Sequence, residues 1–458
     1  MQIINMVVVL IGYMTFIVVL NQKRINQRLG ASLIWVAFVI ITFLSQFTNA
    51  RWQLVPVFSF WILIIVHEVF KSSKVFYKVI FVTISTLIFL LSLGLIYAFP
   101  AGDIPNPSGT YLIGTLTFTV EDEDRSELYT EDPVDTRKFA FRIWYPASHI
   151  GPRDPIKWID AKEISRELAK GIGLPSFVLD QTSEIPSNSY WFTSISDEEE
   201  NYPVVIISHG WGGFMSLHTD LAEELASRGY IVVSIDHTYG SVATVFEDEI
   251  VYQNQEALPD REEANFLTAA NQLVYTYAGD ITKTLDYLEE MNTLETSFFK
   301  GRLDLENIGL IGHSTGGGAD VAVALNDDRI DALIGLDAWV EPIQIEEIDK
   351  GLPIPAVFLR SEAWEVGYNN EHLYALIENS AQARLYQIDG TTHYDFSMAY
   401  MFSPLTGMIG YTGQLEKDYL VQMQKDIMNL FFDEYLKGII RDDIDLSEYH
   451  ELNAVDIS

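Results

Sequence analysis

The chain has 458 residues, enough for two domains rather than one. It contains no cysteine, which excludes disulfides, cysteine-ligated zinc and thiol catalysis. Of its 29 Lys or Arg and 64 Asp or Glu, residues 1–100 hold seven and one, so the net charge runs from +6 there to −41 in the remainder. A part that acidic repels nucleic-acid phosphates, so no nucleic-acid partner is expected.

Four apolar runs come first, at residues 3–20, 31–47, 54–70 and 76–99. Each approaches the roughly 20 apolar residues that a membrane-spanning helix needs. Residues 1–100 therefore read as an all-α, four-helix transmembrane domain in contact with the lipid bilayer. The first and third loops carry Lys23, Arg24, Arg28 and Lys71, Lys74, Lys78, whereas the second carries only Arg51. The positive-inside rule puts loops one and three in the cytoplasm. The N-terminus and everything after the fourth run then lie outside. His67 and Glu68 read as an interfacial pair. A short multi-pass anchor with a cysteine-free outer domain fits a bacterial cell membrane.

Residues 101–109 read as a linker by their Pro and Gly content. Residues 110–120 and 137–145, rich in β-branched and aromatic residues, predict strands with an acidic loop between them. Residues 148–201 form a less regular insertion, a candidate cap, with one helix over 161–172. From Pro203 onward strands alternate with helices. Strands are predicted at 204–207, 230–235, 308–311, 332–336, 356–359 and 384–388. Helices are predicted at 217–227, at 262–291 with a break near Gly279, and at 416–436. This is a doubly wound α/β domain over 110–440, and an acidic C-terminal tail follows at 441–458.

Gly312-His313-Ser314-Thr315-Gly316 has the G-x-S-x-G pattern of a nucleophile elbow, which holds a serine at a strained strand-to-helix turn. Its glycines leave no Cβ to collide with neighbouring chain. The partners of such a serine follow it in the order acid, then histidine. His393, just past the last predicted strand, is the expected base; His372 sits on a helix and His450 in the tail. For the acid, the end of strand 356–359 offers Glu362 and the end of strand 332–336 offers Asp337. An oxyanion hole needs two backbone N–H groups. Thr315 follows the serine, and Trp211 lies in the glycine-rich loop Ser208-His209-Gly210-Trp211-Gly212-Gly213. His209, His237 and His313 lack metal-ligand spacing, so neither metal nor cofactor is expected.

These motifs, with Arg142-Ile143-Trp144-Tyr145-Pro146, the stretch 226–233 and Leu336-Asp337-Ala338-Trp339, are together similar to the plasma and intracellular type II platelet-activating-factor acetylhydrolases. The resemblance covers residues 142–402 and implies an α/β-hydrolase fold. It implies Asp337 as the acid, backbone donation from Trp211 and Thr315, and no calcium requirement. It also implies ester substrates, including phospholipids with short or oxidised acyl chains. The expectation is a membrane-anchored serine ester hydrolase. A lipase or polyester hydrolase for longer chains, or a non-catalytic ligand-binding sensor, are the competing readings.

Overall fold

A computed structural model describes residues 2–21, 52–56, 59, 63 and 75–457. The expected spans at 31–47 and 54–70, and the pair His67 and Glu68, fall wholly or mostly outside these residues. Of the other two, Gln2–Asn21 and Val75–Ala98 are helices. Among the described residues, Val75–Ala98 is long and apolar enough to cross a membrane. The two helices touch: the Tyr13 and Phe89 rings lie 4.6 Å apart, and Tyr13 Oη is 2.9 Å from Thr86 Oγ1.

The rest of the chain is built on one sheet. Its strands are β1 (Leu112–Ser126), β2 (Thr136–His149), β3 (Ser189–Trp191), β4 (Ser194–Ile195), β5 (Tyr202–Ser208) and β6 (Ile231–Asp236). A separate hairpin, β7 (Ala243–Val245) and β8 (Ile250–Tyr252), follows. The sheet then continues with β9 (Leu303–His313), β10 (Ala332–Leu336), β11 (Ala356–Ser361), β12 (Ala383–Ile388) and β13 (Leu452–Ala454). Among the described residues eleven strands join in the order β13-β12-β11-β10-β9-β5-β6-β2-β1-β3, with β4 on β2. The six central strands, β6 through β12, run parallel. Every residue of β5, β6 and β10 is buried, which is why these strands are largely apolar rather than alternating. Helices Phe266–Thr293, Thr315–Ala324 and Asn369–Asn379 pack their apolar sides on one face. Helices Thr219–Ser227 and Lys417–Lys437 cover the other.

Four local expectations change. Helix Phe266–Thr293 runs through Gly279 without a break. A Cβ there would stand 2.1 Å from Arg125 Nη1, so this glycine is a slot for a guanidinium that reaches Asp280 at 2.7 Å. Strand β1 extends through the acidic stretch, because Glu121 and Asp122 pair in register with Lys138 and Arg137 of β2. The stretch 101–109 is docked rather than loose: Ile104 is buried, Ser108 N–H donates to Glu224 at 2.9 Å, and Gly109 N–H to Ser227 Oγ at 3.0 Å. The C-terminal tail adds β13 antiparallel to β12.

Candidate active site

Strand β9 delivers Ser314 at its carboxyl end with φ 56° and ψ −121°, a conformation that costs a side-chain-bearing residue roughly 1–3 kcal/mol. Neighbouring chain holds it there. Ser314 N–H donates to Leu336 O at 3.0 Å, and Ser314 O accepts from Gly318 and Trp339 N–H at 3.1 and 2.8 Å. The flanking glycines are needed as expected. A Cβ on Gly312 would lie 2.4 Å from Gly317 Cα, and one on Gly316 would lie 2.3 Å from Ser208 O.

His393 opens a short 3-10 turn past β12, fixed by a capping box between Thr392 and Asp395. Its Nδ1 lies 3.0 Å from Asp337 Oδ2. Asp337 directly follows β10, buried and in the left-handed region at φ 42°. Its carboxylate also accepts from Ser361 N–H at 2.7 Å and from Ser361 Oγ at 2.6 Å. Glu362, the other candidate acid, is exposed and accepts instead from Gly390 N–H at 2.6 Å. The structure therefore pairs the histidine with Asp337, and the residue that β11 contributes is Ser361.

Ser314, Thr315, Trp211 and His393 line one cavity of about 560 Å³. The loop carrying Trp211 is pinned at several points. Gly212 N–H donates to Gly240 O at 2.8 Å, and Val242 N–H to Gly213 O at 2.8 Å. Beneath it, His209 Nδ1–H donates to Gly210 O at 2.7 Å, which leaves Nε2 to accept from Ser241 Oγ at 2.8 Å. Ser241 Oγ lies 3.1 Å from Asp236 Oδ1, an atom that also accepts from Met215 N–H at 2.8 Å. Burial pushes the Asp236 carboxyl up to about 7. Burial, with His237 nearby, lowers His209 well below the ordinary histidine range.

His313 lies under the turn, where its Nε2–H donates to His393 O at 3.0 Å. Burial first, and then the neighbouring His393, lowers its pKa well below the usual value, so it stays neutral. The His393 ring also stacks on Trp364, 4.3 Å away and 2° from parallel. Trp364 and Ser361 did not stand out in the sequence. Trp364 falls within the 362–370 loop, whose part in the pocket has no motif, and Ser361 is the neighbour of the residue weighed as an acid. His372 and His450 lie away from this cavity. Among the described residues no three His, Asp or Glu side chains converge as a metal-holding group.

A mostly parallel sheet with a strained serine at one strand end, and a histidine and buried aspartate on the next loops, is the framework of an α/β-hydrolase. Residues 97–445 match the family of platelet-activating factor acetylhydrolase, isoform II, and the chain belongs to that family. It is 26% identical over 355 residues to the platelet-activating factor acetylhydrolase of Canis lupus familiaris, covering 71% of this chain and 74% of that one. It is 24% identical over 200 residues to the cutinase est2 of Thermobifida alba, covering 43% and 54%. The solved ferulic acid esterase from Streptomyces cinnamoneus superposes with a TM-score of 0.63 at 21% identity. That match covers 78% of this chain and all of the esterase, and it bears on the fold alone.

Proposed function

We propose that this chain is a serine carboxylic ester hydrolase, held at a membrane by its N-terminal helices with the catalytic domain outside. Ser314 Oγ attacks the acyl carbonyl while His393 Nε2 takes its proton. Asp337 keeps the His393 Nδ1–H in place and stabilises the imidazolium. The N–H groups of Trp211 and Thr315 receive the tetrahedral oxyanion. Collapse expels the alcohol, protonated by His393, and leaves an acyl-enzyme. Water activated by the same histidine then releases the acid. The observation that carries this reading is the His393–Asp337 contact at 3.0 Å beside a serine held at positive φ in the wall of a cavity.

The family supports carboxylic esters as the substrate class, including phospholipids with short or oxidised acyl chains. The likeness to cutinases favours a second reading, polyesters or longer chains. A chain-length series of esters separates the two. Trp52, beside the loop assigned to the outer side, packs 5.5 Å from Phe99 at the start of the catalytic part, which supports placing that loop and the catalytic part on one and the same side. The test is fluorophosphonate labelling of the full chain in detergent. Labelling and ester turnover are expected, and Ser314→Ala is expected to abolish the first and lower the second at least about 10³-fold. A folded parent chain that neither labels nor turns over any ester sinks the proposal.

A further inference from the structure

The peptide that carries the Trp211 N–H is held from its other end. In a trans peptide the C=O and the N–H point opposite ways, so whatever fixes Gly210 O also aims the N–H of Trp211. Two donors fix Gly210 O: Gly213 N–H at 2.9 Å and His209 Nδ1–H at 2.7 Å. The His209 ring is wedged inside this turn, where a Cβ on Gly213 would lie 2.8 Å from Nδ1. A carbonyl oxygen only accepts, so the proton must be on Nδ1, and the neutral ring keeps Nε2 bare.

Nε2 faces donors accordingly, Ser241 Oγ at 2.8 Å and His237 N–H at 3.5 Å. The single hydroxyl proton of Ser241 is then committed to His209. Ser241 Oγ nevertheless lies 3.1 Å from Asp236 Oδ1. Two oxygens this close share a proton, and Asp236 is left to supply it. Its other oxygen, Oδ2, is buried and meets no donor among the described residues, which disfavours a carboxylate.

The groups that face Asp236 leave it in that state. Arg142, on β2, is already paired with Asp160 at 2.7 Å. On helix Phe266–Thr293, burial keeps the Tyr277 hydroxyl neutral, and Asp280 is paired with Arg137 and His237. Met215 offers a backbone N–H at 2.8 Å, and His209 is kept neutral by burial.

We infer that Asp236, Ser241 and His209 form a proton relay that aims the Trp211 N–H at the oxyanion, closed while Asp236 holds its proton and open once that proton leaves. This rests on the serine esterase reading and adds three positioning residues to its site. In the closed state the donors run from Asp236 to Ser241, to His209 Nε2, and from Nδ1–H to Gly210 O. When Asp236 releases its proton to solvent, Ser241 Oγ–H turns to the carboxylate. Nε2 then faces a hydroxyl lone pair. Moving the ring proton from Nδ1 to Nε2 relieves that contact and removes the hydrogen bond to Gly210 O. Burial pushes the Asp236 carboxyl up to about 7, so the relay opens as pH rises past neutrality.

The test follows kcat and KM of the full chain in detergent from pH 5 to pH 9 on a water-soluble aryl acetate. Each kcat is counted per fluorophosphonate-titrated serine, so unfolded chain drops out. In the parent, kcat is expected to fall about tenfold or more above pH 7 with KM unchanged, since losing an oxyanion donor costs about 10²–10³ and misaiming one costs less. That fall is expected to vanish in Ser241→Ala, which cuts the relay, and in Asp236→Asn, which does not titrate. A parent whose kcat stays level from pH 7 to pH 9, or a fall that persists in Ser241→Ala, overturns the proposal. Two exchanges at His209 separate aim from packing. Asn sets an amide N–H where Nδ1–H stands, whereas Gln sets one near Nε2. His209→Asn is expected to turn over at least about tenfold faster than His209→Gln; equal rates overturn the proposal. If these two variants do not fold, the Ser241→Ala profile decides. Nitrogen-15 spectra of histidine-labelled chain read the tautomer directly, with His209 identified by the signal that Ser241→Ala shifts. Nδ1–H is expected at pH 6 and a changed state at pH 9; Nε2–H at pH 6, or no change by pH 9, overturns the proposal. A parent that neither labels nor turns over the ester defeats the esterase reading instead, and the spectra then decide the relay.

Discussion

At Asp337 the carboxylate is held by three donors, two of them from Ser361. Asp337→Asn keeps the shape but puts an amide where His393 Nδ1–H needs an acceptor, so the wrong tautomer is favoured. A fall in kcat of about 10⁴ is expected, with KM little changed. Ser361→Ala removes one donor to a buried charge and should cost only about tenfold in kcat. A pre-steady-state assay on an aryl ester checks both. Asp236, under the oxyanion loop, makes a prediction about pH. Burial raises its folded pKa to about 7, against roughly 3.9 in an unfolded chain. Between these values the folded state keeps a proton that the unfolded state has released, so this group's contribution to stability is lost as pH rises from about 4 to 7. Asp236→Asn keeps the acceptor for Met215 N–H and removes the titration. The melting temperature of the variant relative to the parent is therefore expected to rise between pH 5 and pH 8. At this scale motif and chain order single out Ser314 and His393 in the sequence as the proposed nucleophile and base. Asp337 over Glu362 needed the family resemblance, because both stand at strand ends and only the contact with His393 separates them.

Among the elements, the apolar strands were the most legible. A run buried on both faces leaves little choice of residue, so β5, β6 and β10 were found within a residue or two of their ends. What periodicity missed was set by distant partners. Gly279 looks like a helix breaker until Arg125, 154 positions earlier, fills the space beside it. Residues 121–126 look like loop until the backbone of β1 finds its register opposite Arg137 and Lys138 of β2. Strand β13 is three residues in a polar tail, and only the open edge of β12 makes it a strand. Ending the chain at residue 440 should show what that strand contributes. The β12 edge would be bared, and Tyr419 Oη would lose Glu451, its acceptor at 2.6 Å. A loss of roughly 2–3 kcal/mol is expected from the forfeited hydrogen bonds, seen as a lower melting temperature. The open edge should also promote concentration-dependent association, read by light scattering. Ester turnover per folded molecule should stay unchanged, since none of these residues borders the cavity of Ser314.

For the molecule as a whole, the consequential difference lies at the junction of its two parts. Proline and glycine mark 101–109 as a linker, and composition alone could not show that Ile104 fills the cluster beside the active site. Residues 104–109 therefore pack with the part that follows them rather than apart from it. A chain beginning at residue 110 loses the burial of Ile104, worth about 1.5–3 kcal/mol. It also loses the Ser108 N–H and Oγ–H that donate to Glu224. Thermal melting should place it clearly below a chain beginning at residue 99. The pH dependence should differ too. Burial alone would raise the Glu224 pKa, but Lys425, Ser108 and Arg228 together bring it down to about 2. The stability this gives is present above the unfolded value of roughly 4.3 and is lost as pH falls toward 2. Without Ser108 the folded-state pKa rises toward the unfolded one. The shorter chain is thus expected to be the less stable at pH 7 and to show a shallower loss on acidification from about pH 5. Parallel melting curves for the two chains that stay a constant distance apart across that range would leave the Glu224 titration out of the difference and assign it to the uncharged contacts, Ile104 and Gly109 N–H among them.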